Sequence, residues 1–152
     1  MKVSDILRVK GNVLYAISPD EPLALAMQVM AERDIGSLVV MEHGDLTGML
    51  TFRECIAAVV RNGGQVGSTI VRTVMDDAPL SCTPDTELDE VRRMMLDRHA
   101  RYMPVMTQRT LMGVISLYDV AKAVVDSQDF ENRMLKAYIR DWPAEGTGAT
   151  AS

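Results

Sequence analysis

The chain contains two copies of one sequence pattern, and this internal repeat constrains the fold more than any other feature. Residues 17–60 align without a gap on residues 82–125. Matched positions include Pro19/Pro84, Leu23/Leu88, Met30/Met95, Val40/Val105, Gly48/Gly113 and Ala58/Ala123. A short apolar lead precedes each copy, at 3–7 and at 71–75. Two copies are too few for a solenoid, so the repeat predicts a pseudo-two-fold pair that buries a shared face and forms a cleft between its halves.

Each copy is predicted to form a strand, a helix, two strands and a second helix. The expected fold class is therefore α+β, with two β-α-β-β-α repeats in a pseudo-two-fold arrangement. The predicted boundaries are 1–62 for the first repeat, 63–70 for a linker, 71–126 for the second repeat, 127–142 for a C-terminal helix and 143–152 for a disordered tail. One copy of about 60 residues buries too little surface to be stable alone, so we expect 1–142 to fold as one unit.

Local signals refine the expected elements. Residues 13–17 are predicted to form the first strand, and Asp20 is a candidate N-cap for the helix that follows. The last helix is expected to run from about Tyr118 to Ile139, with a break near Ser127-Gln128 and a stop at Trp142-Pro143. Its apolar stripe packs either on its own domain or on a partner; the stripe comprises Phe130, Met134, Ala137 and Tyr138.

Composition excludes several classes of protein. The net charge of -5 argues against nucleic-acid binding, which requires a basic surface. Cys55 and Cys82 have no metal-binding spacing and are expected to be reduced intracellular thiols. No apolar run is long enough to span a membrane, and the first residues carry no signal-peptide core, so a cytoplasmic location is expected.

Catalysis has little support in the sequence. His43 lies in a predicted turn and His99 lies at a predicted helix end, and neither is accompanied by a nucleophile or a carboxylate in a known arrangement. Gly63-Gly64 belongs to the linker and does not form a phosphate-binding loop between a strand and a helix. We therefore expect a protein that is not an enzyme.

Ser116 and Asp119 form the strongest candidate for a binding motif, because a strand ends there and a helix begins. Ser116 as N-cap with Asp119 three residues later is also typical of a capping box, which would be purely structural. Alternatively, both side chains line a cleft at the strand end. A carboxylate there accepts hydrogen bonds from the two hydroxyls of a ribose, and free N–H groups at a helix start favour phosphate.

Several strings resemble the tandem CBS-domain family, named for the module in cystathionine β-synthase, and in particular its small stand-alone bacterial members. The matching strings are Val-x-Asp-Ile-Leu at 3–7, Pro-Asp-x-x-Leu in both copies, and the segments 35–40, 46–51, 100–105, 112–116 and 128–139. Together they cover nearly all of residues 2–142. The resemblance implies a pair of repeats that pack through their sheets and bind adenine nucleotides in two symmetry-related clefts.

The resemblance also implies site residues. In the second copy, Ser116 and Asp119 match the family's Ser/Thr-x-x-Asp motif, in which the Asp holds ribose, while Arg101, Tyr102 and Pro104 match the strand entry that lines the same cleft. The first copy has Thr51, Arg53 and Glu54 instead, with a longer carboxylate where the Asp belongs. Arg53 is either a phosphate contact or a solvated helix residue.

The expected ligand is AMP, with ADP or ATP as relatives and NAD as the second choice, and no metal is expected to be required. NAD is included because it is a dinucleotide, and the longer Glu54 carboxylate suits a ligand whose second half is placed differently from a mononucleotide. The resemblance implies a regulatory, non-catalytic module that forms a homodimer and signals to an unknown regulated protein by conformational or oligomeric change. A scaffold or dimerisation module without a nucleotide is the alternative.

Overall fold

The computed structural model describes residues 1–11 and 14–140. The backbone divides into two compact units, Met1–Val120 and Ala121–Ser152. The first unit carries all the strands, and the described part of the second is the continuation of the last helix. Among the described residues, no helix has the length and apolar character needed to cross a membrane. Residues 143–152, predicted to be disordered, lie outside the described residues.

The first copy forms a small three-stranded sheet flanked by helices. In chain order its elements are α1 (Val3–Lys10), β1 (Ala16–Ile17), α2 (Leu23–Arg33), β2 (Ser37–Glu42), β3 (Asp45–Thr51) and α3 (Phe52–Arg61). Strand β1 pairs parallel to β2, and β2 pairs antiparallel to β3. The apolar run Leu38, Val39 and Val40 is buried, as expected for a strand at the centre of a sheet.

The second copy repeats this plan with a two-stranded sheet. A short 3-10 turn, Val71–Thr73, precedes α4 (Leu88–Arg98), β4 (Tyr102–Thr107), β5 (Thr110–Ser116) and α5 (Leu117–Arg140). Val40/Met41 and Val105/Met106, which match in the repeat, carry the same register shift in their hairpins. The equivalent of β1 is reduced to a single parallel bridge between Cys82 and Val105. The α+β fold with paired repeats is confirmed.

The lead segments are exchanged between the two copies. Val3 N–H donates to the Thr86 carbonyl, and Lys2 forms a bridge with Glu87, so the first lead pairs with the second copy. The second lead pairs with the first copy in the same way, through Val71 N–H to the Glu21 carbonyl and a bridge between Ile70 and Pro22. Each copy is thus completed by the segment that precedes the other, and the boundaries read from the repeat stay a prediction.

Glycine allows this exchange at equivalent positions of the two sheets. A Cβ at Gly113 would lie 2.8 Å from Leu7 Cδ2 of the first lead. A Cβ at the matching Gly48 would lie 2.7 Å from the Asp76 carbonyl oxygen and 2.9 Å from Met75 Sδ of the second lead. Only a residue without a side chain admits the leads this closely against β3 and β5.

Each of the two equivalent helices, α2 and α4, buries one apolar face. Leu23, Ala26 and Met30 of α2 are buried, as are Leu88, Val91 and Met95 of α4. The first-copy core joins the α2 face to the strands and α3; its buried members include Leu38, Val40, Leu50, Cys55 and Ala58. The same spacing on the two helices therefore serves the same purpose in the two copies.

Three local predictions differ from the structure. Strand β1 covers only Ala16–Ile17, and Val13 lies outside the described residues. Asp20 is not an N-cap: Pro22 holds that position without a side-chain bond, and the Asp20 carboxylate instead pairs with Arg72 at 3.0 Å. Helix α5 continues through Ser127 without the predicted break. Ser127 is half-buried and Gln128 is exposed, and neither interrupts the helix. The predicted stop at Trp142-Pro143 lies outside the described residues.

Candidate functional site

Ser116 and Asp119 form a reciprocal capping box at the start of α5. The Ser116 N–H donates to Asp119 Oδ2 at 2.8 Å, and the Asp119 N–H donates to Ser116 Oγ at 3.1 Å. Both side chains are half-buried. The structural interpretation of this pair is therefore correct, and it fixes the carboxylate at the junction between β5 and α5.

Lys10 adds a cation to this carboxylate. Lys10 Nζ, at the end of α1, donates to Asp119 Oδ2 at 2.6 Å and to the Val114 carbonyl at 2.9 Å. Burial alone would raise the pKa of Asp119, but the bonds from Lys10 and from the Ser116 backbone outweigh it and hold this pKa below its ordinary value. Asp119 is therefore ionised at neutral pH.

One carboxylate oxygen of Asp119 remains available. Both the capping bond and the lysine bond fall on Oδ2, and Oδ1 accepts no hydrogen bond from the residues that the structure describes. The side chain keeps 18% of its surface exposed. An ionised oxygen with free acceptor capacity can receive a ligand hydroxyl without loss of the capping box.

The other predicted residues of the second copy surround this junction. Tyr102 is the cross-strand partner of Ser116, and the Arg101 carbonyl accepts from Leu117 N–H at 2.8 Å. A Cβ at Gly36 would overlap the Tyr102 hydroxyl, so this ring lies against the backbone of the first copy. Arg101 is exposed and Tyr102 is half-buried, whereas Pro104 is buried and accepts from Cys82 N–H at 3.1 Å. The structure thus groups Arg101, Tyr102, Ser116 and Asp119.

The first copy builds the same capping arrangement with a longer acid. Thr51 N–H and Thr51 Oγ1 both donate to Glu54 Oε1 at 2.7 Å, and Arg53 N–H donates to Thr51 Oγ1 at 3.2 Å. The Arg53 side chain is exposed, and its guanidinium donates to the His99 carbonyl at 2.7 Å, at the end of α4. Arg53 therefore ties the first copy to the second.

The two junctions differ in charge. Among the described residues, no ion pair involves Glu54. The second junction is a paired anion and cation, and the first is an anion held only by its own capping box.

The described residues contain no arrangement typical of catalysis. His43 and His99 both occupy left-handed backbone positions, φ 54, in a turn and at a helix C-cap. No group of three or more His, Cys, Asp or Glu within residues 1–11 and 14–140 is placed to hold a metal ion.

Comparison with known proteins identifies the family. The sequence profile of the CBS domain matches residues 3–61 and 71–126, the two copies found in the sequence. The chain belongs to the CBS-domain family. It is 32% identical over 119 residues to the CBS domain-containing protein YhcV of Bacillus subtilis, an alignment that covers 78% of this chain and 84% of YhcV.

Solved structures confirm the CBS-pair fold. A putative signal-transduction protein with CBS domains from Burkholderia ambifaria superposes with a TM-score of 0.78 at 28% identity, over 84% of this chain and 96% of that one. The protein CBSX2, solved in complex with AMP, superposes with a TM-score of 0.69 at 19% identity, over 84% of this chain and 98% of that one. At that identity the likeness to CBSX2 shows the fold alone.

Lys10 is the site residue that the sequence analysis missed. Lys10 follows the first lead by three residues and lies outside the repeat, and the exchange of the leads cannot be read from the order of elements. No sequence signal therefore pointed to it.

Proposed function

We propose that this CBS-domain pair is a non-catalytic regulatory module that binds an adenine nucleotide beside Asp119. The observation that carries the proposal is the ionised Asp119 carboxylate, fixed at a strand-to-helix junction with Oδ1 free of protein bonds. Two vicinal hydroxyls of a ribose match such an acceptor. AMP is the leading ligand, with ADP or ATP as relatives.

The surrounding residues support a nucleotide over a free sugar. The Lys10 ammonium lies beside the carboxylate, and Arg101, whose backbone adjoins the same junction, has an exposed side chain that we propose as a phosphate contact. We propose the half-buried Tyr102, the cross-strand partner of Ser116, as the contact for the base. Among proteins of this fold, CBSX2 was solved with AMP, and MJ0100 with 5′-methylthioadenosine and S-adenosylmethionine at a TM-score of 0.72. All three ligands share an adenosine core, which agrees with recognition centred on adenine and ribose.

The first junction is proposed to be the weaker of two unequal sites. Glu54 carries one more methylene than Asp119, and no ion pair of the described residues gives it a cation. A ligand that reaches both junctions, such as NAD, is the second choice.

The proposed regulation works through a conformational equilibrium of the module. A ligand shifts the module toward one of two arrangements only by its differential affinity for the two.

A scaffold without a nucleotide is the second candidate, and one observation favours it. Asp119 is already paired with Ser116 and Lys10, so among the described residues no unpaired buried charge demands a ligand. In that case the capping box and the ion pair would serve stability alone.

A thermal-shift panel separates the two candidates. AMP, ADP, ATP, NAD and 5′-methylthioadenosine are added to the intact protein, together with the ribose-free base adenine. A ligand at about a hundredfold over its dissociation constant should stabilise the fold by about 2.7 kcal/mol. No shift with any of these would favour the scaffold, and consumption of any ligand, followed by chromatography, would contradict a non-catalytic module.

We also propose that the protein is a homodimer. Helix α5 exposes large apolar side chains that the described chain leaves uncovered, among them Phe130 at 58% and Met134 at 56% exposure. Light scattering at micromolar concentration should return twice the chain mass of 16.8 kDa, and a monomer mass would contradict the dimer. A cytoplasmic location stays a prediction from the sequence.

A further inference from the structure

Helix α1 joins two distant parts of the second copy. Near its start, the N–H group of Val3 donates to the carbonyl of Thr86 at 3.0 Å, just before α4. Its last residue, Lys10, is bonded to Asp119 at the start of α5. One short helix of the first lead therefore connects the entry of the second copy to the junction proposed to hold ribose.

Helix α1 depends on this docking for its own stability. It has eight residues, too few for a helix to be stable alone in water. Val3 and Ile6 are buried, and Leu7 lies close to Gly113 of β5. After the helix, Gly11 adopts a φ of 88, in the left-handed region where the chain changes direction most easily at glycine. A docked and a detached α1 are thus two arrangements that local opening can interconvert.

Lys10 makes the two arrangements different for a ligand. Its ammonium has three N–H donors, and within residues 1–11 and 14–140 two of them are used, on the Val114 carbonyl and on Asp119 Oδ2. With α1 docked, the junction offers a ligand the Oδ1 acceptor and the remaining donor. Detachment of α1 removes that donor and leaves the acceptor alone. A polar ligand that contacts both groups therefore binds the docked arrangement more tightly.

The second lead docks on the first copy without such a link. The Val71 N–H donates to the Glu21 carbonyl at 3.0 Å, the counterpart of the backbone bond in the first lead. Among the described residues, however, no ion pair involves Glu54, and Arg72 of this lead pairs with two other carboxylates. The two leads share a backbone contact but differ in their connection to a junction.

We propose that docking of α1 and nucleotide binding beside Asp119 stabilise each other, and that Lys10 is the residue that couples them. The coupling is reciprocal: the factor by which docked α1 raises the affinity for the nucleotide is the factor by which the nucleotide favours docking. Helix α1 is then the element whose docking responds to the ligand. The inference rests on the proposed nucleotide site and names how occupation of that site is transmitted.

Calorimetric titration of AMP into Lys10→Met tests the coupling from the side of the ligand. Affinity should fall about fivefold or more, the lower end of typical coupling between two sites. The matched control is Arg8→Met, which removes a cation from the same helix where it pairs with Asp5, and which should bind AMP like the wild type. Unchanged affinity in Lys10→Met would overturn the proposal.

Amide hydrogen exchange detected by NMR tests the coupling from the side of α1. In the wild type, saturating AMP should slow exchange of the Val3 amide about fivefold more than exchange of the Val71 amide, which reports any general stabilisation. In Lys10→Met, with AMP raised to the same saturation, the two amides should be slowed equally. Slow exchange at Val71 without ligand also shows that the variant is folded.

The outcomes separate this coupling from the proposed function. If the wild type binds AMP but exchange in α1 is slowed no more than in the second lead, the coupling is overturned and the nucleotide site stands. Faster exchange in α1 would likewise overturn it, because it would mean that the ligand displaces Lys10 from Asp119. Absence of AMP binding to the wild type, in the same titration, would remove the proposed function and the coupling with it.

Discussion

Lys10 and Asp119 form a hydrogen-bonded ion pair between residues 109 positions apart, with 2.6 Å between Nζ and Oδ2. The pair joins the end of α1, which opens the first copy, to the start of α5, which closes the second. Because the leads are exchanged, this contact is local in space although it is distant in sequence. It also places a cation beside the carboxylate proposed to hold ribose.

The ion pair should contribute measurably to stability. Lys10→Met and Asp119→Asn, combined in a double-mutant cycle, should give a coupling energy of about 0.5–1 kcal/mol, since Lys10 is 36% exposed and water screens part of the attraction. Denaturant unfolding measures it. The control is Arg8→Met, which breaks a more exposed pair with Asp5 and should cost less. A coupling energy near zero would mean that the Lys10–Asp119 contact does not stabilise the folded protein.

The unfolding free energy at acidic pH should depend on Asp119. The pKa of Asp119 is lowered in the folded protein from an ordinary value of 3.8, so its contribution is present above about pH 4 and is lost as the pH falls below it. The difference in unfolding free energy between wild type and Asp119→Asn should therefore shrink between pH 5 and about pH 2. A difference that stays constant over this range would show that the carboxylate is not stabilised by folding.

Gly48 and Gly113 should differ in their tolerance of a methyl group. A Cβ at Gly113 meets the end of the flexible Leu7 side chain, which can turn away, whereas a Cβ at Gly48 meets the backbone oxygen of Asp76. Gly48→Ala should cost about 2–3 kcal/mol of stability, at the upper end of the range for overpacking, and Gly113→Ala about 1 kcal/mol.

A second substitution checks the mechanism at Gly113. Leu7→Ala combined with Gly113→Ala should cost less than the sum of the single changes, because the shortened side chain makes room for the new methyl. Equal costs for the two glycine variants would show that the leads do not pack on the sheets as described.

Both cysteines should be unreactive in the folded protein. Burial, with a smaller effect of the nearby Glu54 charge, raises the pKa of Cys55 to about 11, and burial raises the pKa of Cys82 to about 12. Since the thiolate is the nucleophile, a thiol reagent at pH 8 should modify neither until denaturant is added. Stability should decline as the pH rises above 9, because the unfolded thiols then ionise first. Rapid modification of either cysteine in the native protein would contradict their burial.

The repeat predicted more of the fold than of the site. Matched positions in the sequence became matched positions in space, down to the same register shift after Val40 and Val105, because both copies bury the same faces. Ser116 and Asp119 could be found because a capping box is local. Lys10 could not, since its contact depends on the exchange of leads, and no local pattern encodes which copy a lead completes.

Local rules also failed where a tertiary contact competed. An Asp side chain can cap a helix, but the Asp20 carboxylate instead forms a charge-assisted hydrogen bond with Arg72. Pro22 holds the N-cap position, and because proline has no N–H, one fewer backbone donor at this helix start needs a capping partner. The break predicted at Ser127-Gln128 is absent because only Ser127 has modest helix propensity, and Gln128 is a good helix former. The cost of one Ser is a few tenths of a kcal/mol, too small to interrupt the helix.

The most direct test of nucleotide binding is calorimetric titration of AMP into the wild type, Asp119→Asn and Glu54→Gln, with Asp97→Asn as a control on the exposed end of α4. Asp119→Asn keeps the shape of the side chain but removes the charge, so affinity at one site should fall about ten- to hundredfold. Glu54→Gln should lose much less, and the control should lose nothing. Equal losses in the Asp119 and Glu54 variants would contradict the inequality of the two junctions. AMP affinity unchanged by Asp119→Asn, in protein of native stability, would contradict ribose recognition at Asp119 itself.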